Sequence, residues 1–241
     1  MPPRRLKLQG LFILILLALT AAASLLLMPL EAVLPAGVDL PRAVFIIQPS
    51  VLLLVSAVVG WWAAPKVDLK APILSSLVRQ RPWKASLRCA ILPSVVVGIA
   101  GALVLAAYGA ATASFFADAE AALDPPLVTR ILYGGIGEEI MLRWGLMSLL
   151  ALMASKLTTT REAALWSANV LAAVLFGLGH LPTLYAIVAA PPAWIVATVI
   201  AGNAVLGVAF GWLYMRRGLE AAMLGHILAH LFAAAGALAL A

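Results

Sequence analysis

Seven apolar stretches, each long enough to cross a lipid bilayer, dominate this chain. They lie at roughly 11–30, 43–64, 89–110, 127–153, 163–181, 193–215 and 219–240, with ends uncertain by about 2–4 residues. In hydrocarbon every backbone N–H and C=O must find a partner within the protein, so only helices and closed barrels span. A barrel strand needs about 9–11 residues and a helix about 20, so these runs are helical. The sequence predicts an all-α integral membrane protein: a helical bundle of about seven transmembrane helices, with an active-site core from the last four. Of its 241 residues, 64% are hydrophobic and only 11% are charged, and the mean hydropathy is +1.08. Soluble domains carry about a quarter of their residues as charges. The chain therefore reads as one integrated membrane domain. Residues 1–126 are its three-span scaffold and residues 127–241 its four-span core.

The charges set the orientation. Arg4, Arg5 and Lys7 precede the first span, and Lys66, Lys70, Arg79, Arg81, Lys84 and Arg88 fill the 65–88 loop. Lys156 and Arg161 follow the fourth span, and Arg216 and Arg217 the sixth. In a seven-span chain all four clusters fall on one side, which the positive-inside rule makes cytoplasmic. The opposite loops are acidic or neutral, with Glu31, Asp39, Asp118, Glu120 and Asp124. The expected location is the bacterial inner membrane, N-terminus inside. The first apolar run continues through Leu25–Met28, longer than a signal peptide usually allows, so it reads as a retained anchor. The net charge of +6 sits at membrane edges and is no nucleic-acid signal. Cys89, the single cysteine, has no partner for a disulfide or a thiolate metal site.

Spans one to three have no Asp, Glu, Lys, Arg or His in their cores; such groups gather in the last four. The fourth span reads Gly137-Glu138-Glu139-Ile140-Met141-Leu142-Arg143. His180 closes the fifth, and His226 and His230 lie one turn apart in the seventh. Each such group costs a few kcal/mol in hydrocarbon, so a shared buried site is the default expectation. Glu139 and Arg143, four apart, are placed for an ion pair, which leaves Glu138 as the reactive carboxylate. At about 100° per residue, Glu138 and Glu139 are not expected to face one target equally. The blander reading makes the charged trio a structural tie, the two seventh-span histidines backbone-bonded packing, and His180 an interfacial residue. Asn203 in the sixth span reads as a hydrogen bond between helices in preference to a site group.

Together these residues resemble the CAAX-protease and bacteriocin-processing (CPBP, abortive-infection) family of intramembrane proteases. The likeness rests on Glu138-Glu139-x-x-x-Arg143, Phe176-x-x-x-His180 and His226-x-x-x-His230, in the family's order, across 130–232. It implies that Glu138 is the base, with His180 and His226 binding water or the oxyanion, and that Glu139 and Arg143 fill the motif's other polar positions. His230 departs from the family's usual asparagine. The implied substrate is a peptide or protein at the lipid, either prenylated or carrying a leader peptide, with no nucleic acid. The expectation is hydrolysis without tightly bound zinc. A three-histidine zinc site with Glu138 free is the competing chemistry.

Two other classes compete: a non-catalytic binding, immunity or scaffold protein of the same family, and a proton-coupled transporter using a glutamate–histidine relay. Depth is the difficulty for the proteolytic reading. Along ideal helices His226 and His180 differ by roughly 15 Å, at 1.5 Å per residue.

Overall fold

The computed structural model describes residues 4–29, 42–117 and 125–240. Glu31, Asp39, Asp118, Glu120 and Asp124, the acids expected in the outer loops, lie outside them. Among the described residues the chain is helical, with no strand. Helix α1 spans Arg4–Ser24 and α2 Arg42–Ala63, the latter followed by a 3₁₀ turn at Ala64–Val67. A short α3, Pro72–Val78, precedes the long α4, Lys84–Phe116. Helix α5 is composite and unbroken: Leu127–Thr129, then π-helical Arg130–Met147, then Ser148–Ala154. Helices α6 (Arg161–Gly179), α7 (Leu181–Ile187), α8 (Ala193–Arg217) and α9 (Leu219–Leu240) complete it.

Among the described residues six helices are long and apolar enough to cross a membrane. The remaining predicted span is α5, with its two glutamates and arginine near the middle. The protein is an integral membrane helical bundle, as hydropathy predicts.

Helices α1 and α2 pack on each other and on α5, while α4 lies along α9 and α8. The α4–α9 contact is close because it is built from small residues. A Cβ on Gly98 would lie 2.6 Å from Leu228 Cβ, and one on Gly101 would lie 2.8 Å from Ala229 Cβ. Without a hydrophobic drive between helices in lipid, such close van der Waals contact is the main attraction available. Helix α4 therefore forms one wall of the bundle's interior.

The basic clusters of the 65–88 loop, the α5–α6 turn and the end of α8 meet at one end of the bundle. Arg161 donates from Nε to Val67 O and from Nη2 to Asp68 O, both at 3.1 Å. Arg216 pairs with Glu162 at 2.5 Å. Leu219 N–H donates to Lys70 O at 3.0 Å, and Leu74 N–H donates to Glu220 Oε1 at 2.7 Å. Gly218 permits this junction: its φ is +97°, and a Cβ there would collide with Pro72. At Asp68, outside the spans, the hydrogen bond from Lys70 holds the carboxyl below its ordinary range.

Candidate active site

The site forms where α5 faces α9. Gly135 lets the two approach, since a Cβ there would collide with Ile227, the residue between the paired histidine positions. A Cβ on Gly134 would sit 3.1 Å from His230 Nε2 and 3.8 Å from His226 Nε2, so both imidazoles lean toward this bare stretch of α5.

Glu139 is wholly buried, and its carboxylate has two partners. Its Oε2 lies 3.3 Å from Arg143 Nε, and its Oε1 accepts from His226 Nδ1 at 2.9 Å. Arg143, 2% exposed, donates from Nη2 to Gly207 O at 3.0 Å. Its guanidinium lies 5.3 Å from the Phe176 ring centroid and 5.8 Å from that of Phe210. These contacts tie α5 to α6 and α8 around a buried charge pair. Glu138 differs. It keeps 15% of its side chain exposed, and its Oε2 stands 4.0 Å from His226 Nε2, beyond a direct hydrogen bond.

Both carboxylates thus approach one imidazole, one from each ring nitrogen. They do so unequally, at 2.9 Å for Glu139 and 4.0 Å for Glu138. The segment is π-helical, and a π-helix closes its hydrogen bonds at i+5. More residues per turn means a smaller angle between neighbours, so adjacent side chains share a face.

His226 is stacked on Phe210, centroids 4.3 Å apart, and on His230 at 5.0 Å. Because a carboxylate only accepts, the Nδ1 bond to Glu139 places the proton on Nδ1 and leaves neutral His226 with a bare Nε2. His180 is fixed in the same sense: its Nδ1 donates to Phe176 O at 2.9 Å. Its place follows from a break in the helix. Helix α6 stops at Gly179, and Pro182 opens the first turn of α7, where a missing N–H costs least.

His180 and His230 line one cavity of about 250 Å³, with Tyr108, Thr183, Asn203 and apolar residues of α4, α7 and α8. It occupies the half of the bundle away from the basic end. The helix break places His180 on the same cavity as His230. Three contributors carried no signal in the sequence: Phe210 under His226, the Gly207 carbonyl, and Tyr108 from a span without charges.

Among the described residues no three His, Cys, Asp or Glu side chains are grouped as a metal ion requires. Glu139 holds His226 through Nδ1 alone, so the bare Nε2 is the nitrogen His226 could offer to a ligand.

Residues 123–232 match the family described as Type II CAAX prenyl endopeptidase Rce1-like. The matched segment contains all six motif residues. No curated protein and no solved structure matched the chain.

Proposed function

We propose that the chain is an intramembrane endopeptidase in which Glu138 activates water against a peptide bond. The supporting observation is the unequal treatment of two adjacent carboxylates. Glu139 is locked by Arg143 and His226, while Glu138 is partly open beside the bare Nε2 of His226. Glu139 holds His226 in one tautomer and orientation, as a carboxylate does behind a catalytic imidazole. Water bound at Glu138 gives up a proton to that carboxylate as its oxygen attacks the peptide carbonyl. The tetrahedral oxyanion collapses, the C–N bond breaks, and the proton on Glu138 passes to the leaving amine. His180, with Nε2 unprotonated, accepts a hydrogen bond from the same water. His230, stacked on His226, is the histidine left to donate to the developing charge.

The substrate class is a peptide presented at the lipid, either a prenylated C-terminus or a leader peptide. The test uses the full chain in lipid vesicles with a farnesylated peptide ending in a CAAX sequence, and a leader-type peptide beside it. Mass spectrometry should find one new carboxyl and one new amine terminus per cut. Intact peptides in both arms would refute hydrolysis. We further propose that turnover proceeds without tightly bound zinc. Near-stoichiometric zinc in the same preparation, with activity lost to a chelator and regained on adding zinc, would overturn that part.

The orientation follows from the positive-inside rule applied to the basic end: the N-terminus and residues 65–88 are cytoplasmic, in a bacterial inner membrane. A Ser76→Cys variant in a Cys89→Ser background should react with a membrane-impermeant thiol reagent only after permeabilisation. Reaction in intact cells would reverse the assignment.

A further inference from the structure

The cavity between α4, α8 and α9 holds one amide side chain that the site has not used. Asn203 is half-buried on α8 and lines the same cavity as His180 and His230. Among the described residues it makes one hydrogen bond, from Nδ2 to Val199 O of its own helix at 2.9 Å. A carboxamide has two N–H donors and an accepting oxygen, so one N–H and Oδ1 remain for whatever enters the cavity. The chain's other membrane-embedded asparagine behaves differently. Asn169 is 1% exposed and donates from α6 to Val208 O of α8 at 3.1 Å. Asn169 ties helices together and Asn203 does not, which reverses the sequence expectation for Asn203.

The cavity lining offers few donors for the charge that hydrolysis develops. A tetrahedral oxyanion is stabilised by preorganised N–H or O–H groups. In their neutral forms His180 and His226 spend their Nδ1 protons on Phe176 O and Glu139, so each Nε2 can only accept. That leaves His230, Tyr108, Thr183 and Asn203 as the donors lining the cavity. Of these, Asn203 alone offers an amide N–H whose direction is set by a second bond from the same nitrogen.

We propose that Asn203 is a further catalytic residue, its free Nδ2–H donating to the oxyanion or to the carbonyl that becomes it. This rests on the hydrolytic reading. The test uses the full chain in vesicles with the farnesylated CAAX peptide, comparing wild type with Asn203→Leu. Leucine keeps the volume and suits the bilayer. The expected result is a fall in kcat of about 100- to 1000-fold, with KM and the unfolding temperature little changed. Asn203→Asp, which retains the shape and removes the donors, should lose as much, and it stands in if the leucine variant does not fold. His230→Asn in the Asn203→Leu background should recover at least about tenfold, by returning an amide to the cavity's facing wall. A structural role for Asn203 would not be rescued this way. Wild-type cleavage that either folded variant retains within about threefold overturns the proposal alone. No cleavage of this peptide by wild type overturns the CAAX-type reading and the proposal with it.

Discussion

Replacing Glu138 with glutamine will abolish peptide cleavage and leave the protein folded. Glutamine keeps the side chain's size and its hydrogen-bonding end but cannot take a proton from water. General-base catalysis contributes typically about 10²–10⁴-fold, so turnover should fall by at least about 100-fold. The fold should survive because Glu138 has no short ionic contact to lose. Among the described residues its one ion-pair contact, to His226 Nε2, is at 4.0 Å. The Glu139–Arg143 pair that ties the helices is untouched. The measurement pairs the cleavage rate with the thermal unfolding midpoint in the same detergent. A folded variant retaining a third of the rate would place the base elsewhere.

Arg143→Ala should fail in the opposite way, through stability first. Arg143 and Glu139 are 2% and 0% exposed, so solvent does little to screen the pair. Removing the guanidinium leaves a carboxylate deep in the bundle with only His226 to face it, and also frees the Gly207 carbonyl. Breaking one side of a buried ion pair costs about 3–5 kcal/mol. That is much of the stability of a typical domain, so a large loss of folded yield is expected, with no activity in what remains. Arg143→Lys keeps the charge but cannot serve both Glu139 and Gly207 O from a planar fork, so it should recover only part of the loss. Unfolding by heat or denaturant checks this. An alanine variant as stable as wild type would show that the pair contributes nothing net.

The contrast between these variants marks how far the residues could be read in advance. Hydropathy located the spans because the energetic demand of hydrocarbon is local to each stretch of chain. The Glu139–Arg143 pairing follows from i,i+4 spacing alone. The approach of Glu138 to the same imidazole does not, because it depends on the local winding of α5, which no side-chain pattern in 130–147 announces. The cavity shared by His180 and His230 depends on where α6 breaks and how α7 returns, which counting residues along ideal helices does not give. Tyr108 and Gly207 escaped notice because one is an aromatic in an uncharged span and the other contributes only a carbonyl. Asn203 departs from its expected role for a similar reason. Whether an amide faces another helix or a void depends on rotation about the helix axis, and these spans are apolar on every side.

The junction at the start of α9 also determines how the site responds to mechanical load. The Lys70 and Glu220 bonds, with Ser94 Oγ donating to Ala221 O at 2.9 Å, clamp the first residues of α9, while the last part of that helix, from about residue 235, is exposed along its length. A rigid helix clamped at one end moves as a lever about that clamp. At 1.5 Å per residue, His226 sits roughly 10 Å from the pivot and the far tip roughly 30 Å. Any tilt imposed by bilayer thickness or curvature therefore displaces His226 by about a third of what the tip travels. The imidazole that two carboxylates must address is mounted close to the fulcrum, where membrane deformation moves it least.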